Sequence, residues 1–175
     1  MLKNISMGLI LVAVILLGLA LTQPDSFTVQ RSASIKAPPA KVMAYLNDFH
    51  QWPAWSPWEK KDPNMQRTFT GAASGKGAVY AWSGNRDVGQ GRMEIIDSQV
   101  PSSLAIKLDF IKPFASSNQT EFMLQPDGEG TLITWTMQGK SLFATKLMGV
   151  FTSMDKLVGK DFEKGLAQLK EVAEK

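Results

Sequence analysis

Cysteine and histidine, the side chains that most often serve as thiol nucleophile, general base or soft metal ligand, are almost absent from this chain. Cysteine is absent and His50 is the only histidine. This composition excludes thiol catalysis and cysteine-ligated metals, and it disfavours histidine-rich metal sites and a Ser-His-Asp triad. We therefore expect no catalytic residue, no metal and no cofactor. His50 follows a short predicted helix, and we interpret it as a capping or surface residue rather than a general base.

Arg31 is the charged residue that the sequence pattern singles out. The alternation of its strand places it on the same side as the apolar residues. A buried guanidinium needs a partner. Arg31 therefore either binds the anionic head of a ligand, or it pairs within the protein or lies near solvent at the strand end. Glu121 and Asp109 are candidate partners on other strands, although both alternate with apolar positions.

Aromatic residues form the second candidate set. Trp52, Trp55 and Trp58 are separated by Pro53 and Pro57, which favours a short helical turn followed by a rigid loop. Aromatic side chains are typical of pockets for hydrophobic ligands, but they also occur as ordinary core. The candidate ligand-binding residues are Arg31, Trp55, Trp58, Tyr80, Trp82, Glu121 and Trp135.

The element that must position these residues is the C-terminal stretch 153–175. Its apolar residues recur mostly at steps of three and four, which predicts one apolar stripe on an α-helix. Ser153 is a plausible N-cap, and Asp155 is favourably placed in the first turn. A helix of this length spans about 30 Å and needs a large apolar partner.

Alternating strands in the middle of the chain provide that partner. Tight turns between consecutive strands predict an antiparallel meander with one apolar face to cover. We predict an α+β fold in which a seven-stranded antiparallel sheet wraps around the long C-terminal helix and encloses a pocket. The predicted strands are 27–36, 65–70, 77–83, 88–99, 104–110, 118–125 and 131–138, with a short helix at 41–49.

This order of elements also carries local motifs. They are Ile35-Lys36-Ala37-Pro38, the Trp-rich segment 52–58, Gly75-Lys76-Gly77-Ala78 before Tyr80 and Trp82, and Phe162-Glu163-Lys164-Gly165-Leu166. With these motifs, residues 27–174 resemble the helix-grip superfamily of START lipid-transfer domains, polyketide cyclases and pollen-allergen-like proteins, often labelled SRPBCC. The chain is most similar to the branch labelled polyketide cyclase/dehydrase and lipid transport. The resemblance implies a cavity between sheet and helix, but this fold hosts binders, enzymes and chaperone regulators alike.

The N-terminus is strongly apolar. From Met7 to Leu21 every residue is apolar or glycine, and Lys3 precedes the run. The run from Ile5 just reaches the length of a transmembrane helix, whereas cleavage after Ala20 would give a secreted protein. We favour a single-pass anchor with a cytoplasmic N-terminus and an extracytoplasmic domain. The predicted organisation is a transmembrane anchor or signal segment (1–22), a linker (23–26) and a helix-grip domain (27–175).

The sequence is compatible with three functions. The favoured one is a membrane-anchored module that holds a hydrophobic small molecule or lipid in the cavity. A cyclase- or hydratase-type enzyme would use the same cavity, with Arg31, Asp109, Glu121 or Tyr80 moving a proton. An envelope protein-interaction module would instead have a filled core and an exposed Trp loop. The net charge of +3, without a dense basic run, disfavours nucleic acid as a partner.

Overall fold

The computed structural model describes residues 2–175, with side chains from Met7 onward. Met1 and the side chains of Lys3 and Ile5, which belong to the predicted anchor, lie outside this described part. The elements are α1 (Leu2–Leu21), β1 (Ser26–Ile35), α2 (Pro39–Leu46), a 3₁₀ helix (Phe49–Ala54), β2 (Gln66–Gly71), β3 (Ala78–Ser83), β4 (Gln90–Gln99), β5 (Ser103–Lys112), β6 (Ser116–Asp127), β7 (Gly130–Lys140), α3 (Phe143–Gly149) and α4 (Met154–Ala173).

The predicted seven-stranded sheet is confirmed. Its strand order is β1-β7-β6-β5-β4-β3-β2, and every neighbouring pair is antiparallel. Consecutive strands from β2 to β7 therefore form a meander, and β1 joins it beside β7. The register of β4 against β5 shifts between Gln90 and Gly91. A side chain at Gly91 would collide with the Trp82 ring, so glycine allows the backbone to pass this indole.

The predicted helix α4 packs against the apolar face of this sheet. Ser153 caps it by accepting a hydrogen bond from the Lys156 amide at 3.2 Å. Its apolar stripe is buried at Phe162, Leu166, Leu169 and Ala173. Burial of this stripe stabilises a helix that would be marginal alone.

The helix α1 packs on α3. Ala20 is fully buried there and Leu16 is half-buried, whereas the side chains from Met7 to Ile15 are exposed. Asp25 accepts an ion-paired hydrogen bond from Lys146 of α3.

Within residues 2–175, no helix combines the length and the hydropathy that crossing a membrane requires. The membrane anchor stays a prediction.

Candidate functional site

A cavity of about 330 Å³ lies between the sheet and the N-terminal half of α4. This volume falls at the lower end of the range for small-molecule pockets. The residues around it come from the 3₁₀ helix and the loop after it, from strands β1 and β3 to β7, and from α3 and α4. Most of them are apolar, and they include Trp58, Met93, Leu108, Met137 and Val158. The cavity is therefore a site for apolar groups.

Trp135 is the central aromatic side chain of the cavity wall. Alternation along β7 turns it inward, and it is 3% exposed. Its ring stacks on Phe162 of α4 with centroids 4.0 Å apart, and the Trp58 ring meets it edge-on at 5.8 Å. Gly165 lets α4 come this close, because an added Cβ would lie 2.8 Å from the Trp135 ring. These contacts form one rigid aromatic wall.

Tyr80 and Glu59 also line the cavity, and together with Arg67, which lies outside the lining, they form a hydrogen-bonded trio. The Tyr80 hydroxyl donates to Glu59 Oε1 at 2.6 Å, and Arg67 Nε donates to Glu59 Oε2 at 2.6 Å. The Glu59 side chain is only 5% exposed. Burial, together with the hydrogen bond to Glu59, raises the pKa of Tyr80, so its hydroxyl keeps its proton. The Glu59 carboxylate likewise raises the pKa of Arg67.

The charged groups of this trio are paired with each other. Both oxygens of Glu59 are engaged, and the positive charge of Arg67 offsets its negative charge. The arrangement supports the wall and leaves it close to electrically neutral.

Two polar atoms of the lining residues are buried without a hydrogen-bond partner in the described part of the chain. They are Asn118 Oδ1 and Trp135 Nε1. Leaving a buried polar group unpaired costs about 1–3 kcal/mol. A bound molecule or a water can supply such a bond. Asn118 begins an Asn-Gln-Thr sequence that resembles a glycosylation acceptor, but its side chain faces inward and is 8% exposed.

The cavity reaches the surface between two segments. Phe114, in the loop between β5 and β6, lies on one side, and Leu142 and Met148 of the α3 segment lie on the other. Each of the three lines the cavity, yet they are 63%, 44% and 41% exposed, respectively. They therefore mark its mouth. Lys140 also contributes to the lining at this end.

Four of the seven candidate ligand-binding residues line this cavity. They are Trp58, Tyr80, Trp82 and Trp135. Trp55 is fully buried but is not part of the lining. It packs edge-on against Trp135 at 5.8 Å, and its indole donates to the Tyr45 carbonyl at 3.1 Å. Trp55 therefore supports the aromatic wall from behind.

The two charged candidates lie away from the cavity. Arg31 donates to Asp155 Oδ1 and to Glu163 Oε1 of α4, both at 2.7 Å, and these bonds lower the pKa of Asp155. The prediction that Glu121 or Asp109 pairs with Arg31 was therefore wrong. On β6, the side chains of Asn118, Thr120 and Phe122 face inward, so that of Glu121 faces outward and is exposed. The Glu121 carboxylate accepts a hydrogen bond from the Gln119 side chain at 2.6 Å.

Glu59 is the site residue that the sequence did not indicate. It lies between Trp58 and two lysines, in a segment with no strand or helix periodicity. Such a charged run is usually solvated, and only tertiary contacts with β2 and β3 bury it.

A family model described as polyketide cyclase/dehydrase and lipid transport matches residues 26–174. A search of curated proteins found no match. Solved structures with a similar fold include a protein from Chromobacterium violaceum (13% identical, TM-score 0.61, covering 87% of this chain and 99% of that one). A major latex-like protein from Panax ginseng is 15% identical (TM-score 0.61, 86% and 99%). An Aha1 dimer from Colwellia psychrerythraea is 14% identical (TM-score 0.59, 85% and 96%). At these identities, the likeness to the solved structures concerns the fold.

Proposed function

We propose that this chain, which belongs to the polyketide cyclase/dehydrase and lipid-transport family, holds a hydrophobic small molecule or lipid in the cavity between sheet and α4. The observation that carries the proposal is a largely apolar cavity of about 330 Å³ beside α4. Burial of the ligand supplies the affinity, because each CH₂ group removed from water contributes about 0.8 kcal/mol.

A neutral polar end fits this ligand better than an anionic one. Asn118 Oδ1 can accept a hydrogen bond from a hydroxyl, and the Trp135 indole N–H can donate to a hydroxyl or a carbonyl. Arg67 is already paired with Glu59, and Arg31 is paired outside the cavity. The one lysine of the lining, Lys140, lies at the mouth, so a carboxylate held deeper, in the aromatic wall, would lack a cationic partner and would be costly to bury.

Binding is favoured over catalysis by the state of the ionisable groups in the wall. The cyclase or hydratase alternative needs a group that can accept or donate a proton to the ligand. Each Glu59 oxygen already accepts one hydrogen bond, from Arg67 or from Tyr80, so a proton taken up by Glu59 would disrupt its ion pair with Arg67. The protein-interaction alternative is also less favoured, because Trp52 and Trp55 are buried rather than displayed in an exposed loop.

For α1 we propose a membrane anchor, with a cytoplasmic N-terminus and the domain on the extracytoplasmic side. Its side chains from Met7 to Ile15 are exposed and apolar, and no other part of the described chain covers them. Lys3 precedes the run, which favours a cytoplasmic N-terminus. Intact mass of the protein from cells tests this, since cleavage after Ala20 would remove the segment and support secretion instead.

Native mass spectrometry of the detergent-extracted full chain tests ligand holding. We expect a co-purified hydrophobic adduct on the wild type. Val158→Trp should reduce the adduct at least tenfold, because Val158 lines the cavity. Leu157→Trp is the matched control on the same helix, since Leu157 is 48% exposed and lies outside the lining. Absence of an adduct, or equal loss in both variants, would count against the proposal.

A further inference from the structure

We propose that the mouth of the cavity docks on the membrane surface, so that an apolar ligand passes between bilayer and cavity without crossing water. The docking surface consists of Phe114, Leu142 and Met148, with Phe143 and Phe151 in the same segment as α3. This inference rests on the proposed anchor and the proposed ligand site.

Outside α1, five of the nine exposed large apolar side chains among the described residues lie in the two segments that carry the mouth. Phe143, the first residue of α3, is 52% exposed, and Phe151, two residues after α3, is 72% exposed. Phe114 lies across the opening on a different element, the loop from β5 to β6. Isolated exposed apolar residues are ordinary on a protein surface, but three at a cavity mouth, with two more in the segment of α3, mark an interaction site. Aromatic and aliphatic side chains of this kind bury themselves at the boundary between headgroups and acyl chains.

The attachment of α1 holds this surface close to the bilayer. Ala20 of α1 is buried where α1 packs on α3, and Gln23 lies beside Gly149 at the C-terminal end of α3. Only residues 22–25 separate α1 from β1, and four residues span at most about 14 Å. The Ser141 amide also donates to the Asp25 carbonyl at 2.8 Å, which fixes the start of the α3 segment to this link. An α1 inserted in the bilayer therefore keeps the mouth at the membrane surface.

The charges near the mouth complement a bilayer that contains anionic lipid. Lys112 directly precedes Pro113 and Phe114, and Lys140 lines the cavity two residues before Leu142. Both lysines are exposed, and neither takes part in an ion pair among the described residues. Apolar side chains flanked by unpaired lysines are the combination that favours anionic headgroups over a neutral apolar partner.

The opposite end of the sheet provides a matched control. Val100, in the turn between β4 and β5, is 62% exposed, against 63% for Phe114. The two residues lie beyond opposite ends of β5, whose ten residues span about 33 Å. Docking at the mouth therefore leaves Val100 in water.

The absence of cysteine allows a clean test in the full chain. Single variants Phe114→Cys, Val100→Cys and Ile10→Cys are labelled with the fluorophore NBD. Each is reconstituted into phosphatidylcholine vesicles that contain phosphatidylglycerol, and quenching by nitroxide-labelled lipid is measured. We expect lipid quenching at position 114 at least threefold greater than at position 100, and strong quenching at position 10, which lies on the exposed part of α1.

The outcomes separate docking from anchoring. Strong quenching at position 10, with equal quenching at 114 and 100, would overturn docking and leave the anchor standing. Weak quenching at all three positions would overturn the anchor and docking together. Aqueous iodide is used as a second quencher, and protection of position 114 from both quenchers would mean that the probe is covered by this chain or by a second copy of it, which also overturns membrane docking. None of these results depends on the adduct seen by mass spectrometry, so failure of the ligand site is detected separately.

Discussion

Tyr80→Phe is the substitution whose effect the site geometry predicts most directly. It removes the hydroxyl that donates to Glu59 Oε1 at 2.6 Å and keeps the ring and its packing. The acceptor is a carboxylate whose side chain is only 5% exposed, so little water reaches it. Hydrogen bonds to charged groups contribute about 1.5–3 kcal/mol, and we expect the free energy of unfolding to fall by that amount. Arg67 still pairs with Glu59 Oε2, which should keep the variant folded.

The assay is urea-induced unfolding of the full chain in detergent, followed by tryptophan fluorescence. Tyr45→Phe is the matched control, because its hydroxyl makes a longer bond of 3.3 Å to the neutral Val172 carbonyl. We expect that control to lose about 1 kcal/mol or less. Equal losses in the two variants would refute the assignment of Tyr80 as a donor to a buried carboxylate.

Three further predictions concern the same wall and its surroundings. In Tyr45→Phe, Tyr80 is the only tyrosine, and tyrosinate absorbance at 295 nm should appear in the folded state only well above pH 10, since the pKa of Tyr80 is raised. In the unfolded chain the Tyr80 hydroxyl loses its proton near pH 10, so the stability that Tyr80 contributes is complete below pH 10 and is lost as the pH rises above it. Ionisation of Tyr80 at pH 10 in the folded protein would contradict this prediction. Phe162→Ala should lower the free energy of unfolding by about 3–5 kcal/mol, because the ring is 2% exposed and stacks on Trp135, and a loss below about 1 kcal/mol in the urea assay would be inconsistent. Arg31→Ala should leave the adduct in native mass spectra unchanged within twofold, because Arg31 pairs with α4 outside the cavity, and a tenfold loss would restore it as a ligand contact.

Periodicity predicted the sheet and α4 because both bury one continuous face. Alternation along β7 and the stripe from Phe162 to Ala173 depend only on neighbours in the sequence. Trp135 was a candidate because aromatic side chains are typical of apolar pockets, and in the structure it lines the cavity.

Charged residues were harder to assign, because their surroundings depend on distant elements. Parity correctly put Arg31 on the α4 side of β1, but it could not indicate that Asp155 and Glu163, more than a hundred residues away, lie within reach. Glu59 has no periodic signal, and its burial follows from contacts with Arg67 and Tyr80 that only the folded chain brings together. Tertiary pairing, rather than local pattern, decides which charged groups enter a cavity wall.

Photoaffinity labelling of the full chain in vesicles tests the central claim most directly. The probe is a long-chain alcohol carrying a diazirine at the end of its chain, and labelled peptides are mapped by mass spectrometry. We predict labels on inward-facing cavity residues, foremost Met93, Met137 and Val158. Val158→Trp should abolish labelling at Met93 and Met137, whereas Leu157→Trp should leave it intact. Labels confined to α1 and Phe114, with none on Met93 or Met137, would contradict a ligand held between the sheet and α4.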